Sequence, residues 1–312
     1  MRKPRHLLKV SDFSRQECES VISRAIELKK DRFGHSDLLK NSTLLMLFEK
    51  PSLRTRVSFE AGMTQLGGHA IFYSIKDSPL GKKENIHDTA RCASRFADII
   101  AARVFSRRDI RELAENSDVP VINMLDDFAH PCQVLCDFQT IREKKRGLSN
   151  LKLSYFGDAH NNVTYDLMRM SALFGFRMDV ACPEKPEHSP EAEVLEEVET
   201  LSKKSGAQIR VLNDALKAAQ DSDVVYTDSW MSYGIPAEQE EKRKKVFLPY
   251  QVNSALMKAA KPDAVFMNCL PAMRGFEQTA DVIDGPQSVV FDQAENRLHV
   301  QKAIMLFLLG KL

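Results

Sequence analysis

Absences narrow the field before any motif is read. No apolar run in the 312 residues approaches the ~18 that a membrane-spanning helix needs. The six cysteines, at positions 18, 92, 132, 136, 182 and 269, form no Cys-x-x-Cys pair and are too sparse for a disulfide scaffold. Reduced thiols in a cytoplasmic setting are therefore expected. Charge of one sign is missing too: 44 Lys and Arg stand against 43 Asp and Glu, a net of +1. There is thus no general attraction for nucleic acid or a membrane surface, and any anion site must be a local cluster. The opening MRKPRHLLKV is basic but lacks the apolar core of a signal peptide. Gly-x-Gly-x-x-Gly does not occur, and the histidines at 6, 35, 69, 87, 160, 188 and 299 have no metal-ligand spacing. Those seven are expected to be surface or structural groups, and neither a metal nor a cofactor is expected. What remains is 43% apolar and 28% charged residues, an ordinary globular composition long enough for two domains.

Short β-rich apolar runs alternate with helix-length segments from end to end. Strands are expected over 43–48, 70–74, 99–103, 120–123, 153–156, 178–181, 208–211, 223–227 and 264–268. Helices are expected over 54–66, 86–96, 132–145, 163–173 and 191–204. In the first of these Phe59, Met63 and Leu66 recur at helical spacing on one face. Such alternation implies βαβ units and parallel sheets. The fold class expected is α/β, with two Rossmann-like parallel-sheet domains linked by helices. The first domain spans 1–147 and the second 148–293, divided at the basic, Gly-containing stretch 144–150. An amphipathic last helix within 294–312 is expected to pack back on the first domain. The basic runs 142–146 and 242–245 read as solvated helix faces, the second because opposite charges in EQEEKRKK recur at i, i+4.

The segment 49–60, EKPSLRTRVSFE, carries the most chemistry. A strand ends, a Pro-Ser turn follows, and a helix opens with Ser52 as its N-cap. Arg54, Thr55 and Arg56 fall in the first turn, where free N–H groups and the helix dipole already favour an anion. Guanidinium forks and hydroxyls there suit a phosphate. The competing reading is that Arg54 and Arg56 only pair with carboxylates such as Glu60. Arginine in a first turn opposes the dipole, so phosphate is favoured.

Six signatures, in order along nearly the whole chain, resemble the aspartate/ornithine carbamoyltransferase superfamily, and most closely its ornithine branch. They are Ser52-Leu53-Arg54-Thr55-Arg56, His130-Pro131-Cys132-Gln133, Gly157-Asp158-Ala159-His160-Asn161-Asn162, Asp228-Ser229-Trp230-Met231-Ser232-Tyr233-Gly234, Cys269-Leu270-Pro271-Ala272-Met273-Arg274-Gly275 and Phe291-Asp292-Gln293-Ala294-Glu295-Asn296-Arg297. Three positions depart from the pattern: Tyr233 replaces a usual Met, Asn268 a usual His, and Pro79 a usual Gln.

The resemblance implies transfer of a carbamoyl group from carbamoyl phosphate to the side-chain amine of L-ornithine, giving L-citrulline and phosphate in arginine biosynthesis or catabolism. It implies that Ser52, Leu53, Arg54, Thr55, Arg103, His130, Gln133, Leu270 and Arg297 bind carbamoyl phosphate. Within that set Thr55, Arg103 and His130 would stabilise the charge that grows on the carbonyl oxygen. Gln133 and the Leu270 carbonyl would hold the carbamoyl NH2. For the acceptor it implies Asn162, Asp228, Ser232, Tyr233, Cys269 and Leu270, with Arg103, His130 and Cys269 as catalytic residues. Lys82 and Lys83 resemble a loop that reaches a neighbouring subunit's phosphate, which implies a homotrimer or a multiple of trimers. The alternatives are another acceptor (putrescine, lysine or an acylated ornithine) or a non-catalytic paralogue that binds metabolites.

Overall fold

The structure, a computed structural model, describes residues 3–75, 85–231 and 235–312. Pro79, Lys82 and Lys83, and likewise Ser232 and Tyr233, lie outside the described residues. The chain forms two compact units, one made of Met1–Gln139 with Glu295–Leu312 and the other of Thr140–Ala294. The division falls inside the helix Pro131–Lys145, a few residues before the polar stretch that the sequence marks as a boundary.

The first unit holds β1 (Thr43–Phe48), β2 (His69–Ser74), β3 (Ile99–Arg103) and β4 (Val121–Leu125) in the order β2-β1-β3-β4, all parallel. The second holds β5 (Lys152–Phe156), β6 (Arg177–Ala181), β7 (Gln208–Leu212), β8 (Val224–Thr227) and β9 (Val265–Met267) in the order β7-β6-β5-β8-β9, again parallel. Every residue of β3, β5 and β8 is buried, as expected for parallel strands covered on both faces. The edge strand β2 instead alternates exposed with half-buried residues, and the other sheet's edge, β7, is likewise part exposed.

Strand order fixes where ligands can bind. In the first sheet β1 is flanked by β2 on one side and β3 on the other. In the second, β5 is flanked by β6 and β8. Chain direction around the sheet reverses at these two places, and a crevice opens outside the carboxyl ends of the strands. The segments after β1, β4, β5, β8 and β9 carry five of the six sequence signatures, and the sixth lies on the last helix.

Two helix starts follow the capping logic of the sequence. Ser52 caps Leu53–Gln65, its Oγ accepting the Thr55 amide at 3.4 Å. Asn161 caps Asn162–Phe174 through the Thr164 amide at 2.9 Å. Phe59, Met63 and Leu66 are fully buried, the single face their spacing implies. The last helix differs from expectation. It begins at Val290 and runs to Leu308, and residues 299–306 are buried without a break, Gln301 and Lys302 included. It is a core helix of the first unit from residue 295 onward, not an amphipathic one.

Candidate active site

In the first unit, sheet register brings Arg103 beside the loop that follows β1. Arg103 pairs with Phe48 across β1 and β3, and its carbonyl accepts the Glu49 amide at 2.9 Å. From Glu49 the chain turns into the helix Leu53–Gln65, with Ser52 Oγ donating to Thr55 Oγ1 at 3.0 Å. From the far end of the sequence Arg297 arrives on the last helix and is buried. Its Nη2 donates to Thr55 Oγ1 at 3.2 Å and its Nη1 to Gln133 Oε1 at 2.6 Å. Gln133 is oriented from its other end by donating to Asp137 at 2.8 Å. Thr55, Gln133 and Arg297, which lie up to 242 positions apart, are thus one connected group.

His130 sits just before the helix Pro131–Lys145 and is buried. Burial drives its pKa well below the ordinary value, and the charges of Arg297, Arg103, Lys50 and Arg54 push it further down. The imidazole is therefore neutral and able to donate one N–H. Four cations that all act on one buried ring also define where an anion is wanted. Lys50, which the sequence reading left out, belongs to this set: burial and the Arg103 charge lower its ammonium to about 8. Arg56 is not part of the cluster. Its Nε donates to Glu60 at 3.0 Å, and its guanidinium lies 3.7 Å from the centre of the Phe72 ring. Arg56 thus makes the carboxylate contact that the competing salt-bridge reading names.

In the second unit Asp228 follows β8 and Cys269 follows β9, neighbouring strands. The Cys269 thiol donates to Asp228 Oδ1 at 3.0 Å. Asn162 opens its helix one residue after the cap. Beneath them Tyr155 donates to the Asp158 carbonyl at 2.9 Å and accepts from Asn161 Nδ2 at 3.0 Å. Burial, with the nearby Asp228 charge, keeps this phenol neutral by raising its pKa. Leu270 has φ of +58°, an uncommon value for a leucine, and its peptide bond to Pro271 is cis.

Three further features of this half were not legible. Gly157, at φ +120°, ends β5 where a Cβ would lie 2.7 Å from Trp230 Nε1, so only glycine fits. Asp158 pairs with Arg243, whose Nε donates to the Trp230 carbonyl at 2.6 Å. Arg243 belongs to the run read as a solvated face, and that reading fails for it: its side chain is largely buried, stacked 5.0 Å from the centre of the Phe247 ring. Charge alternation marks a helix surface but does not reveal which cation turns inward. Glu277 is buried, and burial raises its carboxyl to about 7.

Comparison with known proteins adds an independent line. Residues 5–143 match the family model described as the carbamoyl-P binding domain of aspartate/ornithine carbamoyltransferase, and residues 149–308 match its Asp/Orn binding domain. The chain is 48% identical to the anabolic ornithine carbamoyltransferase of Pyrococcus furiosus, covering 98% of this chain and 96% of that one. It is 45% identical to the catabolic ornithine carbamoyltransferase of Thermoplasma volcanium, covering 98% and 99%. Among solved structures it resembles the ornithine transcarbamoylase of Giardia lamblia, with a TM-score of 0.92 and 44% identity over all of both chains.

Proposed function

Given that the chain belongs to the aspartate/ornithine carbamoyltransferase family, we propose that it transfers the carbamoyl group of carbamoyl phosphate to the side-chain amine of L-ornithine. The products are L-citrulline and phosphate. The buried group of Thr55, Gln133 and Arg297 at the start of the helix Leu53–Gln65, with Arg103 and His130 buried in the same unit, carries this reading. Such a cluster suits a dianionic phosphate and, next to it, a carbonyl oxygen that gains charge as the amine attacks.

Roles follow from the chemistry of each group. Ser52, Leu53, Arg54 and Thr55 hold the phosphate at the helix N-terminus. Arg103 and His130 donate to the carbonyl oxygen, and Arg297 braces Thr55 and Gln133 so that both present fixed hydrogen-bonding atoms. Gln133 and the Leu270 carbonyl accept from the carbamoyl NH2. On the acceptor side Asp228 takes the α-ammonium, Asn162 the α-carboxylate, and Ser232 adds a hydrogen bond while Tyr233 lines the aliphatic stem. Because the Cys269 thiol donates to Asp228, it orients that carboxylate, and Cys269 is assigned beside the acceptor. Attack needs the neutral amine, whose pKa is near ~10.4 by analogy with lysine, so the rate should climb through the alkaline range.

Expelling phosphate from a mixed anhydride to make a urea is downhill, which favours citrulline formation and a place in arginine biosynthesis. Relatives bear both anabolic and catabolic names, so the site chemistry serves either role. A homotrimer, with Lys82 and Lys83 reaching a neighbouring subunit's phosphate, is supported by apolar side chains left in solvent on the first unit. Among them Leu53 and Val57, on the helix Leu53–Gln65, and Ile71 and Tyr73, on the edge strand β2 that the helix packs against, are neighbours. A cytoplasmic location is consistent with a described chain in which no helix is long and apolar enough to cross a membrane.

The test is steady-state carbamoylation across a panel of amines. Ornithine should be the best acceptor. If putrescine, lysine or an acylated ornithine is carbamoylated faster, the assignment of Asp228 to an amino-acid head group is wrong.

A further inference from the structure

The turn that presents Cys269 and Leu270 is held by side chains to which no role has yet been given. Asn268, fully buried at the end of β9, accepts the Leu270 amide on its Oδ1 at 2.8 Å and donates its Nδ2 to Gln278 Oε1 at 3.0 Å. Gln278, also fully buried, passes the chain on by donating its Nε2 to the Met273 carbonyl at 3.1 Å. Next to it Glu277 Oε1 accepts the Met273 amide at 2.7 Å, and the Gln278 carbonyl accepts the Gly275 amide at 2.8 Å. The direction of donation is the same throughout: Leu270 amide to Asn268, Asn268 to Gln278, Gln278 to the Met273 carbonyl. Each amide side chain spends one donor and one acceptor, and the two backbone groups at the ends are satisfied.

Leu270, the residue inside this loop, carries the left-handed φ of +58°. A leucine holds such a conformation only where its surroundings impose it, and such positions cluster at functional sites. The Asn268 carboxamide supplies the imposition by accepting the amide two residues on, an Asx turn. Position 268 is one of the three departures noted in the sequence. The structure shows that it does not stand alone but is matched by an amide at 278.

We propose that the Asn268–Gln278 amide pair positions the acceptor side of the site, forcing the Leu270 turn that aims the Leu270 carbonyl and seats the Cys269 thiol against Asp228. This rests on the roles given above to Cys269, at the acceptor, and to the Leu270 carbonyl, at the carbamoyl NH2. Neither amide touches substrate; both act through the backbone between them.

Four variants test it: Asn268→Leu, Asn268→Asp, Gln278→Met and the double Asn268→Leu/Gln278→Met. Each is assayed for kcat/KM with ornithine, for competitive inhibition by inorganic phosphate, and for Tm. A small displacement of reacting groups is enough to cost about 10- to 100-fold in rate, and losses of that order in kcat/KM for ornithine are expected from Asn268→Leu and Gln278→Met. Phosphate inhibition should stay within about threefold of wild type, since its cradle lies in the other unit. Asn268→Asp should retain more activity than Asn268→Leu, because the carboxylate still accepts the Leu270 amide. The double variant should lose no more than the worse single one, as expected for one relay. Folded variants with wild-type kcat/KM, fully additive losses, or an equal loss of phosphate affinity would overturn the proposal. Wild-type protein that makes no citrulline would instead overturn the assigned activity.

Discussion

Glu277 is an acid that its surroundings keep protonated. Burial raises its carboxyl from 4.5 to about 7, with the Asp228 charge acting in the same direction. Between those two values the folded protein binds a proton that the unfolded chain has released, so stability falls as pH rises from 4.5 to about 7. A shift of that size corresponds to roughly 3 kcal/mol, fully lost above the folded pKa. Glu277→Gln should flatten this slope and raise Tm at pH 8 while still accepting the Met273 amide. Thermal unfolding at pH 5 and pH 8 decides it, and an unaltered slope would take Glu277 out of the account. His130 makes a kinetic counterpart. Buried and neutral, it gains most as the carbonyl oxygen becomes charged, so His130→Ala should lower kcat by about 10²–10³ with little change in the ornithine KM. A variant altered only in that KM would place His130 on the acceptor instead.

At the scale of elements, the buried parallel strands were the easiest to read, because a strand covered on both faces is a continuous apolar run. β1 and β3 have the bounds that the sequence implies, and β5 and β6 differ by one residue at their starts. The helix start at Ser52 was legible for a similar reason: a capping serine is a local feature. What failed was long-range. Nothing near Arg243 signals its pairing with Asp158 85 positions away, and the last helix puts Gln301 and Lys302 inside, where periodicity expects a solvent face. The Asn268–Gln278 pair was half visible, as an unusual residue without its partner. Gly157 carries a prediction that belongs to its turn. A methyl group there meets the indole nitrogen of Trp230 at 2.7 Å and needs a φ of +120°. Gly157→Ala should cost about 1–3 kcal/mol in denaturant unfolding and weaken ornithine binding through displaced Trp230. Unchanged stability would mean that the loop carrying Trp230 relaxes freely.

At the scale of the molecule, the exposed apolar side chains of the first unit call for a cover. On the proposed homotrimer, in which β2 would be covered, Tyr73→Glu should shift sedimentation from three chains toward one and reduce activity in proportion, because a charge on an association surface is unfavourable. A Tyr73→Glu protein that remains a trimer would remove β2 from the interface. The same unit has another property, set by its chain path. Its sheet lies in Met1–Gln139, yet the helix that bears Arg297 and buries Val300, Ile304 and Leu306 belongs to Glu295–Leu312. Unit two is contiguous and can complete its core from its own residues, whereas the two segments of unit one are separated by the whole of unit two. Closing so long a loop carries an entropic cost that a contiguous unit does not meet, so unit one should complete its core after unit two. Until the two segments meet, Thr55 and Gln133 lack the guanidinium of Arg297 that joins them.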